Sequence, residues 1–255
     1  MREGTGGESI TQLSIESMSV LAITNVGLVR KTNEDRYLIK KLDNDTLLLA
    51  IEDGLGGEAA GDYAAEILRD RLAGIEDIAR NKEQQELERL VKDIDMAIYN
   101  RAKKNIDLEG MGTTLVGVIL RSGFAYWVNV GDSRFYILRD QQLMQITEDQ
   151  TFARFLLEEG EITAEQVPTH YSRHIMDQCV GCGICEPETG RLVIKGKDLL
   201  ILTTDGLHKS ISNEKMISIL NADTNIETKA RSLVQAALDS GGDDNITILI
   251  ASSNY

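Results

Sequence analysis

Apolar residues fall into two rhythms along the chain. Short apolar or alternating runs predict strands at 18–24 (MSVLAIT), 35–42 (DRYLIKKL) and 46–52 (TLLLAIE), with turn chemistry at Asp43, Asn44 and Asp45. Three- and four-residue apolar steps then predict helices over about 59–73 and 82–104, where Leu87, Leu90, Val91, Ile94 and Ile98 share one face. Strands return at 112–121, 124–131 and 133–139, divided by turns at Arg121, Ser122, Gly123 and at Asp140, Gln141, Gln142. The stretch 149–167 reads as mostly helical, 198–203 as a strand, 212–220 and 226–239 as helices, and 245–253 as a closing strand. Hairpins in succession and helices in separate blocks predict an α+β fold, not the βαβ alternation of a doubly wound sheet. Residues 1–14 are expected to be a flexible tail, and 15–255 a single domain.

Composition narrows the function more than the fold. With 255 residues, 42% hydrophobic and 27% charged, the chain has the makings of an ordinary globular core. A formal charge of −14 argues against nucleic acid as a partner, because a phosphate backbone calls for a basic stripe. No apolar run approaches the ~20 residues of a membrane span, and no signal-peptide pattern opens the sequence. The three cysteines are an odd number confined to 179–185, which is no disulfide framework, so the expected compartment is the cytoplasm.

Two features compete for the chemistry. Gly54, Gly56 and Ala59 fit the G-x-G-x-x-G/A spacing of a dinucleotide loop, with Glu76 at a fitting distance, yet the chain then stays helical instead of returning to a parallel strand. Carboxylates at strand ends are the stronger signal: Asp53, Asp132, Asp205, and Asp243 with Asp244, each beside or just after glycine. Any one could be a turn residue. Several gathered in one cleft would repel one another and call for a hard cation such as Mg²⁺ or Mn²⁺. Glu52 alternates with Asp53 on one strand and should face the other way.

The segments RKTNEDRYL (30–38), IEDGLGGEAAG (51–61), GMGTTLVGVI (110–119), NVGDSRFYIL (129–138), TTDGLHKSIS (203–212) and GGDDNITILI (241–250) resemble, in order, the motifs of the metal-dependent Ser/Thr protein phosphatases of type 2C, in their bacterial form. The resemblance spans about residues 18–252. It implies a four-layer αββα sandwich, two antiparallel sheets flanked by helices, with a binuclear Mn²⁺ or Mg²⁺ centre at one end. By that similarity Asp53 bridges two ions, and the Gly54 carbonyl binds the second. Asp205 and Asp244 hold the first, while Glu34 and Asp35 serve the second directly or through water. Asp132 with Asp205 holds a third, weaker ion, and Arg30 grips the substrate phosphate. The implied reaction is hydrolysis of phosphoserine and phosphothreonine by a water bridging the two ions, so no Ser or Cys nucleophile is required. Implied partners are phosphorylated proteins and a Ser/Thr kinase or its targets, met by a monomer. The alternative is a weak or inactive relative that binds phosphoproteins. Thr113 and Thr114 read as structural residues near the site.

Three departures from the family pattern stand out. Leu55 replaces a histidine found in many eukaryotic members. Lys209, four residues after Asp205, stands where another acid is common and would repel a third ion. Gln150 replaces a common histidine and is expected to matter less. Finally, HYSRHIMDQCVGCGICEP (170–187) gathers Cys179, Cys182 and Cys185 with His170 and His174. The C-x2-C-x2-C spacing is that of an iron–sulfur run short of its fourth cysteine or, with a histidine, of a Cys3His zinc site, or of a redox gate, but the favoured reading is a glycine-bearing loop of half-buried thiols.

Overall fold

The computed structural model describes residues 2–3, 7–15, 18–56 and 58–253. Its strands are β1 (Arg2–Glu3), β2 (Glu8–Ile15), β3 (Met18–Asn25), β4 (Asp35–Lys41), β5 (Thr46–Leu55), β6 (Gly112–Thr113), β7 (Leu115–Arg121), β8 (Phe124–Val130), β9 (Arg134–Arg139), β10 (Gln142–Gln145), β11 (Glu188–Val193), β12 (Leu199–Thr203) and β13 (Ile246–Ser253). The helices are α1 (Glu58–Ala73), α2 (Glu83–Ala102), α3 (Phe152–Glu158), α4 (Asp205–His208), α5 (Asn213–Leu220) and α6 (Ile226–Asp239). One sheet runs β1-β2-β3-β13-β12-β9-β10, the other β11-β8-β7-β5-β4 with β6 against β5, and every pairing among these strands is antiparallel.

The apolar runs explain the layering. In β5, Leu47, Leu49 and Ile51 face the other sheet and pack with Val20, Val116, Phe135, Leu202 and Leu249. Leu48 and Ala50 point the opposite way, onto Leu68 of α1 and Leu87 and Val91 of α2. On the far side, Leu21, Ile23, Ile248 and Ile250 pack against Leu233 and Val234 of α6. A strand buried on both faces reads as a continuous apolar run rather than an alternating one. The result is the four-layer α+β sandwich, helix–sheet–sheet–helix.

The sequence-based expectations need four corrections. Residues 8–14, expected within a flexible tail, belong to the strand β2, which pairs along its whole length with β3, from Glu8↔Asn25 to Ile15↔Met18. Its alternating polar pattern, ESITQLSI, suits a strand near a sheet edge with one solvated face. The expected helical stretch 149–167 holds only the short α3 and a 3-10 turn at Val167–Thr169. The strand β11 was hidden because it is an edge strand without buried residues. Finally, β10 begins inside the predicted turn at Gln142.

Candidate active site

Alternation carries the face of β5 that lines the inter-sheet core onward from Ile51 to Asp53, and in β4 the same side holds Tyr37 and Asp35. Asp35 lies directly opposite Asp53 in the β4–β5 register. Both carboxylates therefore sit where the seam between the sheets opens at one end. From the other sheet, Thr204 Oγ donates to Asp35 Oδ2 at 2.8 Å and accepts from the Thr247 amide at 3.0 Å. Asp205 opens α4 immediately after, and Asp244 stands two residues before β13. Asp132 lies in the turn that carries the chain from β8 in one sheet to β9 in the other.

The backbone around Asp53 is held tightly. Its carbonyl accepts from the Thr114 amide at 2.8 Å and from Thr113 Oγ at 2.9 Å, and its amide donates to Thr114 Oγ at 3.1 Å. Thr114 Oγ in turn meets Ser133 Oγ at 2.7 Å. Both threonines are fully buried. Gly54 is needed for closeness: a Cβ there would fall 2.5 Å from the backbone of Gly61 in α1. A Cβ on Gly61 would fall equally close, 2.5 Å, to Glu34 Oε2. The glycines thus seat the first turns of α1 on the end of β5, bringing Glu34 beside the Asp53–Gly54 segment.

The electrostatics are those of an undercompensated acidic cleft. Burial, then the charges of Asp35, Asp205, Asp132 and Asp244, push the Asp53 carboxyl well above its ordinary pKa. Asp35, 3% exposed, is pushed up to about 7, chiefly by burial and further by Asp205 and Asp244, against the bonds from Thr247 and Thr204. Asp53 has no ion-pair partner among the described residues, whereas Asp244 meets Arg30 at 2.9 Å and Lys209 bridges Asp132 and Asp205. Asp244 is tied down further by its neighbour: Asn245 accepts from the Glu34 amide at 2.8 Å and donates to the carbonyls of Val26 and Thr32 at 2.9 Å. That fixes the loop carrying Arg30 and Glu34 against the start of β13.

The structure thus brings Glu34, Asp35, Asp53, Gly54, Asp132, Asp205, Asp244 and Arg30 to one end of the sandwich. Sequence reasoning missed Thr204, Thr247 and Asn245, although the first and last adjoin Asp205 and Asp244 within their motifs. Gln150 matters more than expected, since its Oε1 accepts from the Gly131 amide at 2.8 Å and holds the turn before Asp132.

Among the described residues, no three His, Cys, Asp or Glu side chains yet converge as a closed metal-binding group. For the carboxylates the reason is visible, because Asp244 is turned to Arg30 and Asp132 and Asp205 to Lys209. Their chemistry nonetheless fits a hard divalent ion. All donors are oxygens, and Asp53 and Asp35 carry a repulsion that a cation would relieve.

The cysteine segment is different. His170 Nδ1 bonds Ser172 Oγ at 2.7 Å, and His174 lines a groove with Arg173 and Lys209, so neither histidine is given to the thiols. Cys185 is 5% exposed within the core against α2, and Cys182 packs beside it. The Cys179 thiol hydrogen-bonds Cys182 and lowers the latter to about 6, while burial raises Cys185 to about 12. The zinc or iron–sulfur expectation finds no support in this arrangement. What orders the loop is buried Asp95, which accepts from the amides of Gly181, Gly183 and Cys185 at 2.6, 3.0 and 3.4 Å. Val180 and Thr113 then exchange amide bonds of 2.9 and 3.0 Å, joining this loop to the segment that holds Asp53. Replacing Asp95 with alanine strands these amides and is expected to lower Tm by roughly 6–12 °C in a thermal scan, with Asp95→Asn recovering part of the loss.

The two-sheet αββα sandwich with an acidic cleft at the end of its seam has counterparts among known proteins. A family model described as protein phosphatase 2C matches residues 29–240, and the chain belongs to that family. It is 35% identical over 226 residues to the serine/threonine protein phosphatase PstP of Mycobacterium tuberculosis, covering 88% of this chain but 43% of that protein. It therefore spans less than half the length of that relative. With the serine/threonine phosphatase stp of Listeria welshimeri it shares 32% identity over 237 residues, 91% of this chain and 94% of the relative. The crystal structure of the Mycobacterium tuberculosis phosphatase superposes with a TM-score of 0.84 at 33% identity, over 94% of this chain and 100% of that one. A structure of the PstP catalytic domain in complex with two manganese ions gives 0.80 at 33% identity, over 93% and 98% of the two chains. No helix among the described residues is long and apolar enough to cross a membrane.

Proposed function

We propose that this chain hydrolyses phosphoserine and phosphothreonine in proteins, using two Mn²⁺ or Mg²⁺ ions. Asp53, the Gly54 carbonyl, Asp205 and Asp244 would hold them, with Glu34 and Asp35 on the side of the second ion. The observation that carries this reading is the convergence of acids from four other segments on Asp53, a carboxylate without an ion pair among the described residues. Bound divalent ions supply a water that deprotonates near neutral pH and offset the charge that builds on the phosphate.

The chain's own residues do the rest. Arg30, half exposed at 49% and paired with Asp244 among the described residues, stands at the rim where its planar fork can take a phosphate bidentately. Thr113, Thr114 and Ser133 fix the Asp53 backbone, so its carboxylate need not reorganise during turnover. A groove of about 570 Å³ opens beside Lys209; Asp149 and Glu148 in its lining pair with Arg134 and Arg154, which leaves Arg173 as the cation it offers a phosphorylated segment. The physiological partners would be the targets of a Ser/Thr kinase.

The test is hydrolysis of a phosphothreonine peptide panel. Turnover should require Mn²⁺ or Mg²⁺ and vanish with EDTA. Calorimetric Mn²⁺ binding with no turnover on any peptide would instead favour a phosphoprotein-binding module.

A further inference from the structure

Lys209 follows Asp205 by one helical turn and caps α4, which carries its side chain back over that acid. Its Nζ donates to Asp205 Oδ2 and to Asp132 Oδ2, at 2.7 Å in each case. The two acids come from different places: Asp205 from the end of β12, Asp132 from the turn joining the two sheets. Asp132 is 3% exposed, so its carboxylate is cut off from water and leans on the Lys209 ammonium. An ammonium that donates to two carboxylates is held in its charged form by them. It answers, on this side of the cleft, the repulsion that remains unanswered between Asp35 and Asp53.

We propose that Lys209 is a tethered cation standing between Asp132 and Asp205, so that the position between these two acids takes no third divalent ion. The inference rests on the reading of the cleft as a divalent-cation site, and makes its capacity two ions rather than three. A covalently attached charge is present at any ion concentration. It also sets the spacing of the two acids through hydrogen bonds instead of through a coordination shell. A lysine suits this role because its compact ammonium can donate to two carboxylates at once. The metal dependence of activity should accordingly lack a weak, separately saturating phase.

The experiment measures Mn²⁺ stoichiometry and thermal stability on the full chain after stripping with EDTA. Equilibrium dialysis of wild type, Lys209→Asp and Lys209→Arg, with metal quantified by emission spectroscopy, should give one additional Mn²⁺ equivalent in Lys209→Asp alone. In EDTA, Lys209→Met should lose roughly 4 °C or more in Tm, because two facing acids lose their shared cation. Mn²⁺ should then raise the Tm of Lys209→Asp more than that of wild type. Equal stoichiometry in wild type and Lys209→Asp overturns the proposal, as does an unchanged Tm of Lys209→Met in EDTA. A wild type that binds no Mn²⁺ sinks the binuclear reading instead, while the metal-free Tm still decides whether Lys209 neutralises the two acids.

Discussion

Asp53→Asn is expected to lower kcat/KM on a phosphothreonine peptide by more than about 1,000-fold while leaving the protein folded, since removing even one preorganised charge-stabilising contact costs 10²–10³. The asparagine is isosteric, and the contacts of Thr113 and Thr114 to residue 53 are made by its backbone, so they survive the change. What is lost is a carboxylate that four other acids already disfavour. In EDTA the variant should therefore match or exceed the wild-type Tm, whereas Mn²⁺ should stabilise it less than it stabilises wild type. The combination matters, because a misfolded variant would lose activity and Tm together. Turnover within tenfold of wild type would remove Asp53 from the reacting centre.

A second large effect concerns the neighbour that faces away. Glu52 is fully buried, and neither carboxylate oxygen has a hydrogen-bond partner among the described residues. Burial pushes its pKa up to about 8, with Arg69 and Arg36 only partly opposing. The folded protein thus keeps the proton while the unfolded chain, with an ordinary glutamate, releases it from about pH 4.5 upward. Between those two values the unfolded state binds fewer protons, so stability falls as pH rises and levels off above about pH 8. Glu52→Gln cannot ionise and escapes this slope. Its stability relative to wild type, measured by urea unfolding in EDTA, should improve by roughly 3 kcal/mol between pH 4.5 and pH 7, at 1.36 kcal/mol per pH unit. Parallel pH profiles for the two proteins would show that Glu52 ionises freely in the fold.

Much of this arrangement was legible in the sequence, for identifiable reasons. The run TLLLAIE declares a strand buried on both faces, and the alternation within it already separates Asp53 from Glu52. Asp205 and Asp244 could be placed because each adjoins a strongly apolar strand. The segments that escaped are those whose order comes from a neighbour. β2 is polar on alternate positions and becomes a strand by pairing with β3; β11 is an edge strand whose Gly190 packs against Trp127. The cation partners were illegible for a similar reason. Sequence spacing puts Lys209 one turn from Asp205 but says nothing of Asp132, which reaches it across a sheet-to-sheet turn. Likewise, nothing in the spacing of the cysteines shows that Asp95, about ninety residues earlier, organises their loop.

The position of β13 bears on how the protein is made. It lies between β3 and β12, pairing Ile246 with Asn25 and Leu202 with Leu249. During synthesis β3 emerges more than 200 residues before that central partner. At ~5–20 residues per second, its apolar edge waits roughly 10–40 s for closure. The other sheet draws four adjacent strands from residues 35–130 and can assemble well before then. The nascent chain would thus carry one finished sheet and one open edge, the kind of surface on which unintended strand pairing begins. The strand β13 both closes that edge and follows closely on Asp244, so closure of this sheet and completion of the acidic cleft are one event in folding.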